Sequence, residues 1–245
     1  KKGPLPATEK SAAYTLFALV VLTAACNNLS QTAVNAMMMG IVADMGVPVE
    51  LGQWLSTGYM LMLGVAVPAV TWISKRFSAR QHMLLGLGLS LAGSLMCLAA
   101  PGFWVLLAGR ILQAVSTGIL LPFMTTIAMV SFPPGRQATA MGIAGVAMGF
   151  APNIGPTVGG AMASAWGWRS FFVLLAALTC VLTLCALVLV KPSKPHDAAA
   201  RLDAVSLSLS TLGLGGVLLG FSNASSFALI SPYVWGPLAV GTALC

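Results

Sequence analysis

Residues 142–160 read Gly142-Ile-Ala-Gly145-Val-Ala-Met-Gly149-Phe-Ala-Pro152-Asn-Ile-Gly155-Pro156-Thr-Val-Gly159-Gly160. No charge interrupts this stretch, and it lies inside a longer apolar run near Ala138–Ala165. A helix that crosses a bilayer needs about 20 mostly apolar residues. The glycines recur at spacings of three and four, which lets a second helix backbone approach closely. Pro152 and Pro156 each remove a backbone hydrogen bond and bend a helix. A helix both bent and tightly packed suits a moving gate; the plainer reading is a static kink.

The rest of the chain agrees with a membrane setting. It has 245 residues, of which 58% are hydrophobic and 7% charged, and its mean hydropathy is +0.93. Soluble domains carry about 25% charged residues. So few charges cannot cover a soluble surface. A soluble enzyme, a disordered regulator and a secreted disulfide scaffold are all excluded. The net charge of +7 does not indicate nucleic acid, because the bases sit in small groups between apolar runs rather than on one soluble face. The five cysteines all lie in apolar stretches without metal-ligand spacing and read as small buried hydrophobes.

Punctuation divides the chain. Spans are expected near Tyr14–Ile41, Leu51–Ile73, His82–Ala100, Phe103–Val130, Ala138–Ala165, Ser170–Val190 and Asp203–Phe221. Tyr233–Cys245 is too short to cross, so the chain is expected to stop inside an eighth span. The expected domains are a cytoplasmic segment over 1–13, a six-helix bundle over 14–190, a cytoplasmic linker over 191–202 and an extra helix pair over 203–245. With the N-terminus inside, Lys1, Lys2, Lys10, Lys75, Arg76, Arg80, Arg136, Lys191, Lys194 and Arg201 are all cytoplasmic. That is 10 of the 12 bases, a strong positive-inside signal. Arg169 alone is outside and Arg110 lies within span 4. The expected location is the cytoplasmic membrane. Lys1–Lys10 followed by Tyr14–Cys26 mimics a signal peptide, but apolar character resumes at Ala33–Ala43.

Polar groups are costly inside a bilayer and usually face a cavity or a neighbouring helix. Asn28, Gln31, Thr32 and Asn35 share one face of span 1. They read as cavity lining or as interhelical hydrogen bonds, and their density favours a cavity. Arg110, Gln113 and Thr117 repeat the pattern in span 4. Spans 1 and 4 would open two three-helix units, as in transporters with repeated halves. The thirteen methionines offer weak support for pockets that take varied apolar ligands. His82 and His196 are expected at or outside the inner face. No acid lies mid-span. No catalytic set, metal cluster or phosphate-binding motif is present in the sequence, so no enzyme activity, cofactor or metal is expected.

These residues carry a resemblance. Ala151-Pro152-Asn153-Ile-Gly155-Pro156-Thr-Val-Gly159-Gly160 resembles the antiporter motif of the major facilitator superfamily, within it the fourteen-span drug:proton antiporters. Arg110-Ile-Leu-Gln113-Ala-Val-Ser-Thr-Gly118, followed by Pro122, is similar to the family's span 4 motif. Leu29-Ser-Gln-Thr-Ala-Val-Asn35, Gln53-Trp54 through Tyr59, and Trp166-Gly-Trp168-Arg169-Ser-Phe-Phe172 also fit. Ser30 stands where the family usually has Asp. In the span 2–3 loop, Thr71, Lys75 and Ser78 replace Gly, Asp and Gly, while Arg76 and Arg80 remain. The short linker favours fourteen spans over twelve.

The resemblance implies an all-α polytopic protein: a six-helix bundle of 3+3 repeats plus one complete and one truncated span. It implies export of amphipathic organic compounds by alternating access, with protons as the coupling partner and a monomer as the working unit. Asn28, Gln31, Thr32, Asn35, Arg110, Gln113 and Asn153 would line the substrate cavity. Pro152, Gly155, Pro156, Gly159 and Gly160 would serve gating, and Lys75, Arg76 and Arg80 the inner-gate loop. With Ser30 in place of Asp, a coupling acid would lie at Asp44 or further along the protein, if there is one. Two rivals stand: a dedicated metabolite, lipid or anion carrier, and a receptor or scaffold that binds ligand without moving it.

Overall fold

The computed structural model describes residues 7–67, 70, 73, 76–190, 208–209, 212–218, 220 and 232–244. The elements are α1 (Ala7–Met45), α2 (Val49–Gly52), α3 (Trp54–Ala66), α4 (Ala79–Leu98), α5 (Phe103–Ser131), α6 (Pro134–Trp166), α7 (Trp168–Leu189) and α8 (Pro232–Leu244). Residues 212–218 are also helical, and no strand occurs among the described residues. Ala13–Met45, Ala79–Leu98, Phe103–Ser131 and Trp168–Leu189 are long and apolar enough to cross a membrane. The 33 residues of α6 reach about 50 Å at the helical rise, but glycine, proline and Asn153 dilute its hydropathy.

Local chemistry explains the ends. Ser78 caps α4 with a reciprocal box: Gln81 N donates to Ser78 Oγ and Ser78 N donates to Gln81 Oε1. This satisfies two helix-end amides. Pro133 precedes α6 in an extended conformation and Pro134 begins the helix, where its missing amide costs nothing. Gly167 alone separates α6 from α7. The expected second span is not one uninterrupted helix, since Gln53 separates α2 from α3.

Such short connections make α4–α5, α5–α6 and α6–α7 antiparallel. Packing then pairs α1 with α6, α3 with α5, and α4 with both α5 and α7. The core has layers. At one end Leu16, Phe17, Val20, Met83, Leu87, Leu120, Phe123, Ile127 and Ala186 cluster. At the other end Val34, Met37, Ile41, Leu55, Leu106, Phe171, Phe172 and Leu175 cluster. Between them the buried side chains turn polar: Asn27, Ser30, Ser90, Ser94, Arg110, Gln113, Ser116 and Thr117. Lipid is as apolar as leucine, so close packing and hydrogen bonds, rather than water exclusion, must hold such helices together.

Two further expectations are corrected. His82 is not interfacial: it is fully buried and stacks on Phe123 with ring centroids 3.9 Å apart. The Ser78 cap starts α4 early enough to carry His82 inside the bundle. Cys180 is exposed on α7, whereas Cys97 is buried and Cys26 and Cys185 are half-buried. The linker 191–202 and His196 lie outside the described residues, as does much of the seventh expected span.

Candidate functional site

Arg110 and Gln113 sit one turn apart on α5, so both point into the mid-layer. Arg110 is 0% exposed. Its Nη1 donates to Ser30 Oγ at 2.9 Å and to Gln113 Oε1 at 2.6 Å. The guanidinium carbon lies 4.5 Å from the centre of the Tyr59 ring, a cation–π distance. Thr117 Oγ1 donates to Gln113 O at 3.0 Å. Its one proton is therefore engaged, and Tyr59 OH is the donor in the 2.8 Å bond to Thr117 Oγ1.

The network continues across the bundle. Gln113 Nε2 donates to Ser94 Oγ at 3.0 Å, and Ser94 Oγ to Ser90 O at 2.8 Å. Ser90 Oγ donates to Asn27 Oδ1 at 2.7 Å, and Asn27 Nδ2 to Ser116 Oγ at 3.3 Å. Ser116 Oγ closes on Gly86 O at 2.7 Å. One chain of bonds thus ties α1, α4 and α5 at mid-depth. Sequence reading does not assign Asn27, Ser30, Tyr59, Ser90, Ser94 or Ser116 to a site. The i, i+4 spacing of Ser90 and Ser94 is the available signal.

Asn27 is the cross-helix member on α1. Interhelical polar bonds inside membranes average about 0.6 kcal/mol each. Asn27→Ala removes two, so it is expected to cost about 1 kcal/mol and lower the detergent melting temperature by a few degrees. Asn28→Ala is the control, because among the described residues Asn28 Nδ2 donates to Met148 Sδ, at 3.0 Å, outside the network. Equal melting of the two variants would remove the network's structural role.

The other expected cavity residues form a second, more open strip. Asn28, Gln31 and Thr32 are half-buried, and Asn35 and Asn153 are exposed. Asn35 Oδ1 accepts from Ser56 Oγ on α3. Thr32 Oγ1 donates to Leu29 O at 3.2 Å and Asn153 Nδ2 to Gly149 O at 2.6 Å, both within their own helices. The strip therefore runs along α1 from α6, at Met148, to α3, at Ser56. It does not touch Arg110 through any of these bonds.

Gly155 and Gly159 lie on the face of α6 that meets α1. A Cβ on Gly155 would crowd Thr32 Oγ1 and lie 2.8 Å from Leu29 O. One on Gly159 would lie 2.7 Å from Ala33 Cβ and 3.0 Å from its Cα. Gly160 has open space instead. Pro156 is exposed and Pro152 half-buried. Of the loop bases, Lys75 lies outside the described residues and Arg76 is exposed. Arg80 Nη2 donates to Leu187 O at 2.9 Å, joining the start of α4 to the end of α7.

At the opposite end Asp44 is engaged. Arg169 Nη1 lies 2.6 Å from Asp44 Oδ2, and Trp168 Nε1 donates to the same oxygen at 3.1 Å. Arg169 Nη2 also donates to Ala100 O at 3.3 Å. This clasp joins the ends of α1, α4 and α7 without reaching the mid-layer.

Comparison with known proteins identifies the architecture. Lincomycin resistance protein LmrB of Bacillus subtilis is 36% identical over 86% of this chain and 44% of the relative. A multidrug resistance protein B homolog of Mycobacterium tuberculosis is 30% identical over 91% of this chain and 42% of the relative. The chain thus spans less than half the length of these curated relatives. A solved peptide transporter, POT in complex with sulfate, shares the fold at TM-score 0.66 and 16% identity, over 92% of this chain and 48% of that one. A bacterial homolog of the human lysosomal transporter Spinster does so at TM-score 0.61 and 13% identity, over 98% and 60%. The sequence model of the Major Facilitator Superfamily matches residues 20–244, and the chain belongs to that family of membrane transporters.

Proposed function

We propose that this chain is the N-terminal part of a secondary transporter that exports amphipathic organic compounds across the cytoplasmic membrane. The observation that carries this reading is the half-open polar strip of Asn28, Gln31, Thr32 and Asn35 on α1. It borders apolar side chains: Met148 of α6 meets Asn28, and Met39, one turn beyond Asn35 on α1, is exposed. Polar and apolar surface side by side is the chemistry that amphipathic compounds need. The resistance names of two relatives support the same substrate class. Alternating access opens the strip to one side of the membrane and then the other, with the N-terminus cytoplasmic and the protein working as a monomer.

The test is efflux from proteoliposomes holding the full-length protein, with lincomycin among the compounds offered. Accumulation against a gradient of the compound when a pH gradient is imposed supports proton antiport. Efflux unchanged on collapse of that gradient excludes proton coupling, and no efflux of any compound removes the exporter reading. A narrower carrier of anions is the second reading. Ser30 favours it, since the group facing Arg110 from α1 is a hydroxyl rather than a carboxylate.

Asp44 is not the coupling acid in this reading, because Arg169 and Trp168 hold it at the rim. Exposed ion pairs of this kind contribute little. Asp44→Asn is therefore expected to keep efflux within about twofold of the parent at every pH. A flattened pH profile in that variant would return Asp44 to the coupling path.

A further inference from the structure

Arg110 has more hydrogen-bonding capacity than its surroundings use. Its Nη1 meets two neutral acceptors, but Nε and Nη2 are buried without any partner. Those two nitrogens carry the parallel N–H groups along one side of the guanidinium, the side that grips a carboxylate with two bonds. A buried cation is costly unless it is paired and fully hydrogen-bonded. The neighbours offer no negative charge. Ser30 comes from α1, Tyr59 from α3, Ser94 from α4, and Gln113 and Thr117 from α5.

The acids of the chain are elsewhere. The sequence holds five: Glu9, Asp44, Glu50, Asp197 and Asp203. Asp44 is paired with Arg169. Glu50 is exposed on α2, at the same end as Asp44. Glu9 precedes Ser30 by more than five helical turns of α1, or about 30 Å. Asp197 and Asp203 lie outside the described residues. No carboxylate among the described residues pairs with Arg110.

We propose that the Nε/Nη2 edge of Arg110 binds a monoanion: the carboxylate of a transported compound or an inorganic anion such as chloride. The ligand supplies the charge that the bundle withholds and completes the guanidinium's hydrogen bonds. Tyr59 covers one face of the group, Ser30 and Gln113 hold Nη1, and the unpaired edge is left for the ligand. This deepens the transport reading by naming the charge of a bound species, and the binding itself does not require transport.

The test is the melting temperature of the purified full-length protein in detergent, titrated with sodium acetate and, separately, with sodium chloride. Two variants accompany it. Arg110→Met removes the edge. Ser30→Asp places a carboxylate beside Nη1 and supplies the missing charge from within. The wild type is expected to gain a few degrees, saturably, while both variants show only a small, unsaturating salt effect. A response to acetate without chloride assigns the edge to organic carboxylates; chloride without acetate assigns it to inorganic anions. Equal responses in wild type and Ser30→Asp, or no saturable response in the wild type, overturn the proposal. If Arg110→Met does not fold, Ser30→Asp decides alone. Melting is read without transport, so failed efflux leaves a positive result standing, and a flat titration leaves the exporter reading untouched.

Discussion

Gly155→Val is expected to abolish transport and sharply reduce the yield of folded protein, while Gly160→Val leaves yield and melting near the parent. The two positions are five residues apart in the same motif, but they face different surroundings. A side chain at Gly155 meets Leu29 O and Thr32 Oγ1 of α1, whereas one at Gly160 meets nothing within 4 Å. Overpacking a tight contact costs about 1–3 kcal/mol. The upper end applies here, because part of the obstacle is backbone and cannot rotate away. A loss of about 3 kcal/mol is a large share of the stability of a small bundle. Gly159→Val should behave like Gly155→Val, since a Cβ there would lie 3.0 Å from Ala33 Cα. Melting and efflux measured on the same preparations check this. If all three variants behave alike, the motif acts through composition rather than through the α1–α6 contact.

The limits of sequence reading follow from what periodicity encodes. Glycine spacing points to a close helix contact in span 5, and Gly155 and Gly159 do make one. It does not name the partner: a period of 3.6 says which residues share a face, not which helix that face meets. The same gap explains α1. Asn27 and Asn28 are adjacent, so their side chains diverge by about 100°. Asn28 begins the longer polar stripe with Gln31 and Asn35, and that stripe is what the pattern selects. Asn27 and Ser30 instead head a face continued by Val34, Met37 and Ile41, all buried. Asn27 looks incidental until α4 and α5 supply Ser90 and Ser116, and Ser30 is marked only by the resemblance until Arg110 meets it. On α5 the sequence carries more. Arg110, Gln113 and Thr117 share a face and all are fully buried, because a charge mid-span has few other places to go. His82 misleads for the opposite reason: histidine next to a basic loop reads as interfacial, and its full burial against Phe123 shows otherwise.

Arg110→Met is expected to cut transport about tenfold or more, the scale of losing one charge-assisted hydrogen bond, with little loss of stability. The two effects separate because they have different origins. The native guanidinium gains from bonds to neutral acceptors, each worth about 1.5–3 kcal/mol when one partner is charged. Its contact with Tyr59 adds up to about 2 kcal/mol. Against this stands the cost of a mid-bilayer arginine, from about 2.5 kcal/mol upward depending on the reference. Methionine forfeits the gains and the cost together, and it fills a similar volume. The acceptors left behind are not stranded. Ser30 can turn its hydroxyl to a carbonyl of its own helix, and Gln113 keeps its bond to Ser94. Net melting should therefore move by only a few degrees, in either direction. Transport has no such compensation, since methionine presents neither charge nor the two-pronged edge. Arg110→Lys sharpens the point: it restores charge without the edge. Lysine that rescues efflux fully shows that charge alone suffices, while lysine as inactive as methionine shows that the geometry of the guanidinium is required. A melting temperature that collapses together with efflux in Arg110→Met would make the residue a structural pillar of the mid-layer instead.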